Sequence, residues 1–216
     1  MNERPGLSRI GIIEAAVRVA DRGGLTAVSM RNVGKELGVE AMSLYHHVAN
    51  KDDLLDGLAD WIFAGIVLPG PGEPWRPAML HRATSARNVL ARHPWALTLI
   101  ESRRSPGPSL LRHHDAVLGC LRTNGFPVAL ASHAFSVIDA YVYGFVLTEL
   151  KLPFASADGA EEFASEIDVP ADAYPYLAEM VGELVIGKDY SFADEFDYGL
   201  GLILDELDRR RRRVEE

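Results

Sequence analysis

The chain of 216 residues is expected to be all-α, with a small N-terminal three-helix unit followed by a larger helical domain. Three observations predict this. Apolar residues recur three and four positions apart in segment after segment, which gathers them on one face of a helix rather than one side of a strand. No alternating run of β-branched residues survives inspection. The junctions carry helix punctuation, with Ser29 and Asn50 ahead of periodic stretches, Gly38 and Asn124-Gly125 behind them, and proline-rich breaks at 68–74 and 105–108. A hydrophobic content of 48% is ample for a packed core.

Taken in order, Ile10, Ile13, Val17 and Ala20 outline a first helix, and Gly23-Gly24-Leu25-Thr26 forms its exit loop. Ser29 caps a second helix by accepting a backbone N–H from its first turn, and Met30, Val33 and Leu37 are its inner face. Gly38 ends it, because glycine supplies the left-handed conformation of a helix stop. Only Gly38-Val39-Glu40 separates it from a third run, so residues 29–51 read as a helix-turn-helix. The third helix, 41 to about 48, turns Leu44 and Val48 inward and leaves Ala41, Met42, Ser43, Tyr45, His46 and His47 outward. That outer face suits a DNA major groove. Its small leading residues allow close approach to base edges, while Tyr45, His47 and Lys51 are types that hold phosphate oxygens.

Asn50, with Asp53 three residues on, starts a connecting helix expected over 51–67, whose inner stripe is Leu54, Leu58 and Ile62, widened by Leu55 and Ile66. The N-terminal domain is taken as 1–52 and the helical domain as 53–216. After the break at 68–74, helices are expected at 75–92, 95–103 and 109–123. Residues 128–150 are apolar almost all round, which places that helix in the middle of its domain. An acidic, alanine- and proline-rich stretch at 153–175 reads as a mobile or partly helical excursion. Helices at 176–186 and 191–213 follow. The last carries a stripe of Phe192, Phe196, Leu200, Ile203, Leu204 and Leu207, with Gly199 and Gly201 suited to close approach of another helix. Arg209 to Arg213 read as a solvated terminus, since cations complement the negative end of a helix.

The formal net charge is −9, which by itself argues against a nucleic-acid partner. Its distribution does not. Residues 1–51 hold seven Lys and Arg against five Asp and Glu, a surplus of +2, so the remainder carries −11. An acidic body behind a mildly basic head would orient the protein on DNA. The single cysteine, Cys120, excludes an internal disulfide and is expected as an apolar packing residue. With no run of 18 apolar residues and no basic-then-apolar N-terminus, a cytoplasmic location is expected.

No phosphate-cradling loop, Gly-x-Ser-x-Gly elbow or His-Glu-x-x-His pair occurs, so neither enzyme activity nor a cofactor is expected. His113-His114-Asp115 is the best enzymatic clue. It supports the alternative of an all-helical metal-dependent hydrolase with a structural N-terminal bundle, but such a site needs further ligands that the spacing of His81, His93 and His133 does not require.

The ordered set Ser-Met-Arg, Leu-Gly-Val, Leu-Tyr-His-His-Val and Asn-Lys-x-x-Leu-Leu, after the Gly-Gly-Leu-Thr loop, resembles the tetracycline repressor (TetR) family of bacterial transcription regulators over residues 8 to about 60. Residues 75–152 also look like that repressor's C-terminal domain, with Trp75 opening a helix, Asn124-Gly125-Phe126, and Tyr143-Gly144-Phe145-Val146-Leu147 followed by Glu149. The resemblance implies a homodimer, joined through the 128–150 and 191–213 helices, that represses from a palindromic operator and lets go when a small molecule enters the helical domain. It implies that Arg31, Ala41, Met42 and Ser43 read bases and that Tyr45, His47 and Lys51 hold phosphates, with Ser29 counted among the DNA-contacting positions. It implies an effector pocket walled by Val67, Arg82, Ala86, Ile100, Arg104, Val117, Ser136, Asp139 and Tyr143. Val67 and Ile100 stand where tetracycline-binding members have histidines. That argues against a tetracycline–magnesium ligand or any metal, and for a more apolar effector.

Overall fold

The structure, a computed structural model, describes residues 7–103, 106–154, 156–167 and 169–215. Among these it is helical throughout, without strands. Helix α1 (Arg9–Ala27) is capped by Ser8, whose hydroxyl accepts the Gly11 amide at 3.2 Å. The expected exit loop is a kink, with Gly24 in the left-handed region at φ 67°, before a last short turn closed by Val28 onto Leu25. Helix α2 (Met30–Leu37) begins as expected on Ser29, which accepts the Asn32 amide at 3.2 Å, and ends on Gly38 at φ 69°.

Helix α3 (Ala41–Leu44) is shorter than expected. Residues 45–47 continue as a tight turn in which the His47 and Val48 amides both return to the Leu44 carbonyl at 2.9 Å. Helix α4 (Lys51–Ala64) starts on Asn50, which accepts the Asp53 amide at 2.9 Å, and stops before Val67. Its end lies earlier because the Gly65 amide folds back to Trp61 and Ile62, and the Val67 amide leaves the helix to bond the Ser85 hydroxyl at 3.0 Å.

The larger part comprises α5 (Trp75–Arg92), α6 (Ala96–Ser102), α7 (Pro108–Thr123), α8 (Val128–Glu149), α9 (Ala157–Ile167), α10 (Pro175–Leu184), a 3₁₀ turn (Phe192–Asp194) and α11 (Glu195–Glu215). Helix α4 packs on α1 in front and on α6 and α7 behind, so it belongs to both domains. One apolar core runs unbroken from Ile12 to Leu207.

Two expectations about the long helices are corrected. α8 is not surrounded: Ala131, Ala134, Ile138, Val142, Phe145 and Val146 are buried, while Val128, Val137 and Leu147 face outward. By length and composition α8 could cross a membrane, but its inner face is packed on α5, α7 and α11. Of the α11 stripe, which in the family's arrangement would meet a second subunit, Phe196, Leu200, Leu204 and Leu207 are buried within the chain against α8, so any pairing uses the outward faces of the two helices. Gly199 admits the Tyr141 ring of α8, whereas Gly201 faces open space. In the 153–175 stretch, α9 buries Ala160 and sets Phe163 against Phe154. The arginine run forms ion pairs along its own helix with Glu206 and Asp208.

Candidate functional site

The reading face is built by partition. Leu44 and Val48 are 0% and 1% exposed, while Met42 just before them is 73% and Tyr45 between them 45% exposed. Arg31, His46, His47 and Lys51 are also exposed, and Ala41 and Ser43 are half-buried at the start of the same edge. Ser29 is half-buried with its hydroxyl engaged as the α2 cap. The face is clamped to α4. Arg9 donates to the His47 carbonyl at 3.2 Å and pairs with Asp53, which also accepts the Ala49 amide at 2.8 Å. The hydrogen bond from Arg9 holds the Asp53 carboxyl below the usual carboxylate range. On the far side Arg18 and Arg22 of α1 grip Glu36 of α2. The reader is therefore tied to α4 at one end and to α1 at the other.

Behind α4 lies a second group of polar side chains. Arg82 of α5, 2% exposed, donates through Nε to His113 Nε2 of α7 at 3.0 Å and pairs through Nη2 with Asp139 of α8. Burial, with the Arg82 charge adding to it, pushes His113 down to about 3, so the ring is neutral. Tyr143 is pushed above its ordinary value by burial and by the nearby Asp139 carboxylate. Aromatic rings close the group. Phe63 of α4 lies 5.6 Å from His113, and Phe135 lies 4.6 Å from His114 and beneath the Arg82 guanidinium at 5.6 Å.

The expected pocket wall is thus only partly assembled. Arg82, Asp139 and Tyr143 come together, Ala86 and Val117 are buried in the core, and Ile100 lines a cleft of about 220 Å³ between α4, α6 and α7. Val67 is exposed on the connecting loop, and the exposed Ser136 bonds back to the Ser132 carbonyl, so neither joins the cluster. Arg104 lies outside the described residues. Three residues absent from the expected wall do reach this region: His113, Phe63 and Arg103. His113 could have been found, because it falls four residues before Val117 and eight before Leu121 on the buried stripe of α7. As for the metal-site clue, no group of three or more His, Cys, Asp or Glu among the described residues is placed to hold an ion.

The two regions are joined through α4 and the α5–α6 corner. Arg103 pairs with Asp56 at 3.1 Å, and Asp60 accepts the Ser109 amide and hydroxyl at 2.6 and 2.9 Å. Asp21 of α1 meets His93 Nδ1 and accepts Trp95 Nε1–H, both at 2.7 Å, with Trp61 edge-on to His93. These contacts link α4, α6 and α7 to α1 and, through α4, to the reading face.

Comparison with known proteins follows the same division. Residues 12–58 match the family model described as bacterial regulatory proteins, tetR family, and residues 68–211 match the tetracyclin repressor-like C-terminal domain. The HTH-type transcriptional repressor DrrR1 of Streptomyces coeruleorubidus is 33% identical over 217 residues, spanning 95% of this chain and 78% of that one. Tetracycline repressor protein class D of Escherichia coli is 30% identical over 155 residues, 70% of this chain and 71% of that one. The crystal structure of the Streptomyces coelicolor protein ActR in complex with (S)-DNPA gives a TM-score of 0.72 at 25% identity, covering 93% of this chain and 97% of ActR.

Proposed function

We propose, from the premise that this chain belongs to the TetR family of bacterial regulatory proteins, how its residues make a ligand-responsive transcriptional repressor. The observation that carries the reading is the partition of residues 41–48, in which every bulky polar group faces away from the buried pair Leu44 and Val48. Arg31, Ala41, Met42 and Ser43 read base edges, while Tyr45, His47 and Lys51 take phosphates. Ser29 serves by holding the start of α2. Two copies, paired through the outward faces of α8 and α11, set two such heads on a palindromic operator. The acidic body keeps all but the heads away from the DNA backbone, and the protein acts in the cytoplasm.

The effector enters behind α4. ActR binds (S)-DNPA, which supports a small, mostly apolar molecule in the corresponding helical domain here. Differential affinity for two positions of α4 would change the spacing of the heads and release the operator. The hydrolase alternative has nothing to support it, for the relatives are regulators and His113 is engaged by Arg82.

The test is a mobility shift on DNA flanking the protein's own gene, with competitor DNA and a salt series. Affinity is expected to fall as salt rises. The double variant Arg31→Ala, Tyr45→Ala is expected to lose about a hundredfold in specific affinity while remaining dimeric in sedimentation. Retention of competitor-resistant binding by that variant would remove the assigned face.

A further inference from the structure

We propose that the effector is recognised through an oxygen acceptor: it is a flat, uncharged molecule bearing a carbonyl, held by Arg82 and His113 and reached from the cleft beneath α4. This rests on the effector-site reading given above.

The argument begins with unpaired hydrogens. Three buried side-chain nitrogens among the described residues lack a hydrogen-bond partner, namely Arg82 Nη1, Arg103 Nε and His113 Nδ1. Arg82 and His113 are 2% and 0% exposed, so protein burial alone leaves these groups unsatisfied. The chemistry of each can be assigned. An arginine nitrogen only donates. Since Arg82 Nε–H donates to His113 Nε2, that nitrogen holds the ring's lone pair, and the single hydrogen of the neutral ring must sit on Nδ1. All three orphans are therefore donors. A ligand that settles here brings acceptors.

Charge narrows the class. Asp139 already neutralises Arg82, so a carboxylate would leave a second buried anion without its own cation. An ammonium group would add donors where donors are in excess. An uncharged carbonyl oxygen satisfies the site without either cost. Shape comes from Phe63 and Phe135, whose rings flank His113, His114 and Arg82 and favour stacking or edge contact with another flat ring.

The route is marked by Phe63 and Arg103. Both line the cleft of about 220 Å³, together with Asp56, Ile100 and Leu110, and Phe63 also forms the partition against His113. Phe63 lies on α4. In this proposal the Phe63 ring moves aside to admit the molecule from the cleft to the Arg82–His113 pair, which ties recognition to the connecting helix.

The experiment uses equilibrium dialysis of the full chain, free of DNA, against fluorenone and fluorene, which share a ring skeleton and differ by the carbonyl. Fluorenone is expected to bind at least about tenfold more tightly, as one satisfied buried donor implies. His113→Leu should reduce that preference below about threefold, and Ser165→Ala, on the exposed side of α9 with its hydroxyl on the Glu161 carbonyl, should preserve it. If His113→Leu does not fold by circular dichroism, His113→Phe, which keeps a ring and removes the Nδ1–H donor, replaces it with the same expected loss. Equal binding of the two probes, binding of neither, or tighter binding of fluorene carboxylate than of fluorenone overturns the proposal. Operator binding is scored separately. A normal operator shift with no preference for fluorenone would defeat this inference alone, and a lost operator shift with the preference intact would defeat the regulator reading alone.

Discussion

His113 is held neutral in the folded chain, with its proton affinity down at about 3, whereas in the unfolded chain it titrates at its ordinary 6.5. Between those values the unfolded state binds a proton that the folded state refuses. Stability from this residue is therefore complete above about pH 6.5 and is lost as pH falls, by about 1.4 kcal/mol per unit. Denaturant unfolding should show a loss of about 2 kcal/mol between pH 6.5 and 5 that is absent from His113→Leu. Parallel pH profiles for the two proteins would reject the assignment. The burial of this histidine was legible in its spacing from Val117 and Leu121, but its partner was not, because Arg82 stands 31 residues away on another helix. Local chemistry reads more directly. The caps at Ser29 and Asn50 and the left-handed stop at Gly38 were all visible, since each is decided within a few residues.

At the scale of elements, periodicity reveals that a face is apolar and leaves open what covers it. The stripe of α11 illustrates the limit: the same residues would suit a second subunit or α8, and the structure gives them to α8. Helix ends carry a related ambiguity, as at α4, where the Gly65 amide turns back and Val67 is drawn to Ser85. The two glycines of α11 separate the faces experimentally. A Cβ at Gly199 would stand 2.9 Å from Tyr141 Cζ, and one at Gly201 would meet nothing within 4 Å. Gly199→Ala should therefore destabilise the chain by about 1–3 kcal/mol through overpacking. Gly201→Ala should be neutral or stabilise by up to about 1 kcal/mol, because alanine is the better helix former. Urea midpoints of the two variants decide it, and equal values would mean that Tyr141 simply moves aside.

At the scale of the whole molecule, an uncovered apolar surface lies on the outward side of α8 and α11. Val137, Leu147 and Leu202 are 41%, 47% and 56% exposed, and Leu130, Val137, Leu202 and Ile203 line a shallow groove there. Contiguous exposed apolar groups of this kind support the pairing through α8 and α11 proposed above. Gly201, open on the α11 part of that surface, would let a partner helix approach closely. A charge placed in the middle should break the pairing without disturbing the fold. Leu202→Glu puts two buried carboxylates against an apolar partner face, so its dimer dissociation constant should rise at least about tenfold, while the helical signal stays unchanged. Because Leu202 lies on α11, outside the reading head of residues 29–51, the individual contacts of each head with DNA persist. Operator affinity should nevertheless fall, since a monomer engages one half-site and forfeits the gain from linking two. Sedimentation and operator titration on the same protein test both parts. A variant that dissociates yet binds the operator as before would separate dimerisation from recognition, and one that remains dimeric would show that α8 and α11 pair through other residues or not at all.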